Sequence, residues 1–285
     1  MSERKIQLQH RISKIYLKQF GFKEDKKWKI SIWRKGTSEI DIQSIEVFSS
    51  EENIFDLPYS FSNGKRHFEN TSSIIESHYG ETIKGLKRES KLTPAHKDLL
   101  CHFVANFICR AKPYREYFDS LLNNEKAKEK LLQEITLFYS DRKEEILLQL
   151  SIFKSKDHLN ILIGYIMNHL VYVFRGFEFV ILRDYQQRGW FSTDNPVVID
   201  NQDIFSWIIP LEAEIYFPLS KNFCLFLFHK NSEKQGNSLR LLSLQEVINT
   251  TEEQHTFITN MILSNCYEYL ILPTQIPKTD LKDIA

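Results

Sequence analysis

The residues able to do chemistry in this chain are few and far apart: His10, Glu76, His102, Arg110, Arg115 and the pair Asp194-Asn195. His102, Asn106 and Arg110 recur at every fourth position, so a helix would line them along one side, opposite Phe103 and Phe107. Such a row is usually a solvated face. Buried against strands, it would be a proton-transfer or phosphate-binding row, because histidine titrates near neutrality and arginine grips an oxyanion with paired N–H donors. Glu76 lies among Ile74, Ile75 and Tyr79, on an apolar helix face. A carboxylate there needs a partner, and Arg110 across an antiparallel helix pair is the expected one. His10 reads either as a bridge in the N-terminal segment or as a general base.

Asp194 and Asn195 sit in GWFSTDNPVVID, where a strand breaks at a polar turn and then resumes. Two readings stand side by side. An Asx turn accounts for the pair and Pro196, since short polar side chains bond the backbone two residues on and the residue before proline is held extended. The other reading is a carboxylate presented to a ribose hydroxyl or a metal ion. No second carboxylate stands nearby at a metal-ligand spacing, so no metal set is named.

Three stretches must position these groups. WKISIW and IDIQSIEVF alternate about Gly36, which predicts a β-hairpin over residues 28–48, preceded by a short helix or strand in IYLKQFGF. Residues 71–175 turn to a helical period. Thr71, Ser72 or Ser73 is expected to cap the first helix, Thr93-Pro94 to open another, and Pro113 to kink or end it. DHLNILIGYIMNHLVYVF is apolar almost all round and belongs in the interior. From residue 177 to 273 strand signals return in FEFVILR, WFSTDNPVVI, EIYFPLS, FCLFLFH and SLRLLS, then a closing helix from SLQEV to NC and a strand YLILP. The expectation is one α+β domain, a helical middle layer packed against a mostly antiparallel sheet formed by the N- and C-terminal segments.

Composition sets the outer bounds. Hydrophobic residues at 42% and charged residues at 26% suit a folded globular chain. Lys plus Arg equals Asp plus Glu at 37 each, which removes a chain-wide basic field, although a local basic groove remains compatible. Cys101, Cys109, Cys224 and Cys266 are too scattered for a zinc spacing and read as buried thiols in a reducing compartment. A polar start, MSERKIQLQHR, and the lack of an apolar run of membrane length point to a cytoplasmic protein with no membrane partner. The glycine-rich phosphate loops, the G-x-S-x-G elbow and the H-E-x-x-H pair are all missing, and no cofactor or oligomeric state is assigned.

Several stretches together resemble one family, the bacterial domain of unknown function DUF4238. They are HRISKIYLKQF at His10 to Phe20, Ile75-Glu76, FICRAKPYR, and above all FSTDNPVVI followed by IYFPLSKNFCLFL. Ser13 stands where the family has proline, and one additional residue precedes Pro113. The resemblance implies an organisation without a reaction and marks Arg110 as the best single anion ligand.

Two functions follow from these observations. One is a hydrolase or nuclease effector of a toxin or antiphage system, with His10, Glu76, Arg110 and Asp194 as the catalytic set and Asn195, Arg115 and His102 binding a nucleic acid or nucleotide. The other is a non-enzymatic binding or regulatory module, with a protein partner, whose polar motifs are turns and buried bridges.

Overall fold

The alternating stretch at Trp28 is a strand in the computed structural model, which describes residues 8–57, 67–89, 91–152, 155–184, 186, 188–200, 209–232, 238–241 and 247–273. It is preceded by β1 (Leu8–His10), the single-turn helix α1 (Lys14–Leu17) and β2 (Phe22–Glu24). β3 (Lys27–Arg34) pairs antiparallel with β2 and with β4 (Ile40–Ser44), so the hairpin predicted by alternation is present. β5 (Ser50–Glu52) then returns to pair with β1.

Helices α2 (His67–Ser77), α3 (Tyr79–Glu89), α4 (Pro94–Arg110), α5 (Lys112–Leu122), α6 (Glu125–Phe138), α7 (Lys143–Ile152) and α8 (Ser155–Phe174) form the middle. Thr93 caps α4 as its sequence predicts. Its hydroxyl accepts the His96 N–H at 3.2 Å while His96 Nδ1 accepts the Thr93 N–H at 3.5 Å, a reciprocal box with Pro94 in the first turn. Pro113 falls in the first turn of α5, where it cannot continue α4, and the break comes at Ala111. The expected cap at Thr71, Ser72 or Ser73 is corrected: α2 already starts at His67, and Ser72, inside it, donates to Asn106 Oδ1 at 2.8 Å.

The second half supplies β6 (Phe177–Arg183), β7 (Ser192–Thr193), β8 (Val198–Asp200), β9 (Glu214–Ser220), β10 (Phe223–His229), β11 (Val247–Asn249), α9 (Glu252–Ser264) and β12 (Tyr269–Leu272). Two expectations fail here. The strand read in SLRLLS is a 3-10 turn at Ser238–Leu241, with the residues after it outside the described set. The closing helix begins only at Glu252, capped by Thr251, because Val247–Asn249 is drawn into a parallel pairing with β6.

The α+β class and the helical middle hold, and among the described residues the strands divide into three sheets instead of one. β1 and β5 form a ribbon; β2-β3-β12-β7, with β4 also on β3, form one sheet; β11-β6-β10-β9-β8 form the central one. The reason EIYFPLS and FCLFLFH are so apolar is that the central sheet is covered on both faces. Phe179, Phe217 and Leu225 join the core shared with α4 and α8, while Val180, Tyr216 and Phe226 join a second core with Ile258 and Ile262 of α9. Pro218 is tolerated in β9 because the ladder with β10 shifts register there, and its carbonyl accepts the buried Tyr16 hydroxyl at 2.8 Å.

Candidate functional site

Arg110, the last residue of α4, is 2% exposed and surrounded by acceptors. Its guanidinium donates to the carbonyls of His10 and of Arg11, the latter at 3.3 Å, and stands 3.1 Å from Glu69 and 3.4 Å from Glu76 on α2. Below it the Phe55 ring centre lies 4.6 Å from the guanidinium carbon. Helix α2 thus presents two carboxylates, and α4 answers with one cation that also pins the strand β1. The Glu76–Arg110 pair is the one the sequence led us to expect. Glu69 was not, although seven residues before Glu76 is two helical turns on the same face.

Arg115, one turn into α5, stacks on Phe55 from 4.9 Å and donates to Asn160 Oδ1 at 2.6 Å. Asn160 of α8 returns its own N–H groups to the carbonyls of Ile54 and Asp56 at 3.2 and 2.9 Å. Gln9 completes the lock by donating to Asp56 at 2.7 Å and accepting the Phe55 N–H at 2.7 Å. None of these long-range partners leaves a local signal. Asn106 and Arg110 are therefore buried, whereas His102, two turns earlier, is a third exposed and lies 3.8 Å from Asp98. Asp98 is held by Arg175 at 2.9 Å, so His102 belongs to a separate surface group.

Burial moves these groups in definite directions. It raises Glu69 above the usual carboxylate range, with Arg110 opposing and Glu76 adding to the rise. It lowers His10, despite the Phe48 carbonyl at 3.3 Å, and lowers His102 against the pull of Asp98. Burial, reinforced by the Arg11 guanidinium, brings Arg115 down to about 9, still cationic at neutral pH.

Asp194 does not make the expected local turn. Its carboxylate reaches across to the segment before β12, accepting the Tyr267 N–H at 3.1 Å and the Glu268 N–H at 2.8 Å. The local bond is made by Thr193, whose hydroxyl accepts the Asn195 N–H at 3.1 Å. Asn195 contributes its carbonyl, which with that of Val197 accepts the Asn265 amide at 2.8 and 3.2 Å. Burial raises Asp194 above the usual carboxylate range, and the backbone N–H groups pull against it. One edge of Asp194 faces a cleft of about 270 Å3 that Arg11, Glu51, Lys112 and Glu268 also line. Those four are paired, Arg11 with Glu51 and Lys112 with Glu268 at 2.6 Å. The predicted set thus gathers in part: Glu76 and the His10 carbonyl meet at Arg110, Asp194 lies beyond Arg11, and His102 is elsewhere.

The family described as a protein of unknown function, DUF4238, matches residues 8–274. The chain belongs to it. No curated protein and no solved structure matches the chain. In this DUF4238 chain the motif stretches touch one another: the Tyr16 hydroxyl of the opening motif joins Ser192 Oγ at 2.5 Å and the Pro218 carbonyl, tying HRISKIYLKQF to FSTDNP and to FPLS. Among the described residues no helix is long and apolar enough to cross a membrane, and no group of three or more His, Cys, Asp or Glu could hold a metal.

Proposed function

We propose that this chain is a binding or regulatory module whose family motifs hold the fold instead of performing a reaction. What carries this reading is how fully its two most suggestive groups are used. The Arg110 guanidinium donates to two backbone carbonyls and already stands at ion-pair distance from two carboxylates, and both oxygens of Asp194 accept backbone N–H groups. An anion ligand needs unspent donors, and a general base needs to reach a substrate proton. A reducing, cytoplasmic setting suits the four buried free cysteines, since burial pushes Cys101 and Cys266 up to about 12 and keeps them protonated.

The test is to incubate wild type, Asp194→Asn and Arg110→Lys with single- and double-stranded DNA, RNA and nucleoside triphosphates while following unfolding in parallel. Lower thermal midpoints in the variants and no turnover by any of the proteins are expected. Turnover by the wild type that is lost in a variant of unchanged midpoint overturns the module reading and restores a hydrolase or nuclease.

A further inference from the structure

The end of β6, the β9–β10 turn, the last turn of α3 and the residue after β12 meet around a cleft of about 640 Å3 that none of the Arg110 brace residues lines. Its walls carry Lys87, Arg183, Arg188 and Lys221, and among the lining residues Asp184 is the one carboxylate. Asp184 is already engaged, accepting the backbone N–H groups of Gln186 at 3.1 Å and Gly189 at 2.9 Å. Arg188 stands 3.9 Å from Asp184 and 3.7 Å from the exposed Glu252. Lys87, Arg183 and Lys221 have no carboxylate at ion-pair distance among the described residues.

The cations are placed by ordered backbone. Arg183 ends β6 between Phe223 of β10 and Asn249 of β11, and its guanidinium carbon lies 5.4 Å from the Phe223 ring centre. Lys221 sits in a turn fastened by Ser220 Oγ, which accepts the N–H groups of Asn222 and Phe223 at 3.2 Å each. The Lys221 carbonyl in turn accepts the Trp190 N–H at 3.0 Å. An adjoining cleft of about 460 Å3 shares Lys221 and Pro273 and adds Lys23. Glu24, its carboxylate, is taken by Lys29.

We propose that this cleft binds a compact oligophosphate, either inorganic or carried by a nucleotide. Like charges are held together at a cost unless an anion joins them, and phosphate oxygens are the acceptors best matched to one flat guanidinium flanked by ammonium groups. The volume is that of a small-ligand site. A long polyanion would draw on a broad basic field, and the balance of 37 cationic against 37 anionic residues leaves the excess local. The proposal gives the module reading a ligand and rests on it only for the claim that the ligand leaves unchanged.

The experiment is a calorimetric titration of the full chain with inorganic triphosphate and, separately, with adenosine triphosphate, repeated on Lys87→Gln/Lys221→Gln. Both lysines are exposed, so the variant's thermal midpoint should match wild type and serve as the folding control. Saturable binding is expected, weakened about fivefold or more in the double variant. Equal affinity for the two ligands assigns recognition to the phosphates alone, and tighter adenosine triphosphate assigns a further part to the nucleoside. No saturable heat at millimolar ligand, unchanged affinity in the double variant, or displacement of triphosphate by a single-stranded oligonucleotide with a steep salt dependence overturns the proposal. Orthophosphate release in the same samples would refute the module reading and leave the cleft standing; absent binding would do the reverse.

Discussion

Replacing Arg110 by methionine keeps most of the side chain's bulk and removes only the guanidinium. Glu69 and Glu76, both on α2 and mostly buried, would then face each other without a counter-ion, and the carbonyls of His10 and Arg11 would lose their donor. Removing one partner of a buried ion pair costs about 3–5 kcal/mol, a large part of the roughly 5–15 kcal/mol by which folded domains are stable. With a urea m-value near 3 kcal/mol per molar, that loss is a midpoint shift of roughly 1–1.7 M, at unchanged m. The same substitution made in a Glu69→Gln/Glu76→Gln background leaves no uncompensated charge, so it should cost about 1–3 kcal/mol less, the size of coupling found between contacting groups. Equilibrium urea unfolding of the four proteins measures both quantities. If Arg110→Met costs under about 1 kcal/mol, or costs the same with and without the glutamates, the brace is not what joins α2, α4 and β1.

Acid should act on Glu69 with a definite sign. Its folded pKa is raised, so the stability tied to its protonated form is present below the ordinary carboxylate value and is lost as pH rises through the raised one. Relative to wild type, Glu69→Gln is therefore expected to be more stable at pH 7 than at about pH 4, measured by denaturant unfolding at both pH values; a reversed order would mean that Arg110 outweighs burial. Gly189 has φ +86°, and a Cβ there would meet the Pro273 Cβ at 2.9 Å. Gly189→Ala should cost about 1–3 kcal/mol in the same assay, and a neutral result would show that the loop shifts freely.

What could be read from the sequence was whatever is decided within one helix or one hairpin. Alternation marked β3 and β4 and Thr93-Pro94 marked the start of α4; the exception is Glu76, whose place on an apolar face called for a cation that Arg110 supplies from another helix. The failures involve partners far along the chain. Asp194 bonds residues 73 and 74 positions away, so its local neighbourhood suggested a local turn. Val247–Asn249 stands just before α9 but takes a strand's role, because the open side of β6 offers it a ladder. The basic cleft was invisible for a similar reason: Lys87, Arg183 and Lys221 are each ordinary surface cations until β6, β9, β10 and α3 bring them together.

Strand β12 lies between β3 and β7, joining residues 31–34 to residues 269–272. During synthesis the ribosome releases the first hairpin long before its neighbour exists, so residues 31–34 of β3 must wait unpaired on the side away from β4. A chain halted just short of Tyr269 would leave the N–H and C=O groups along residues 31–34 bare, ready to recruit a strand from another molecule.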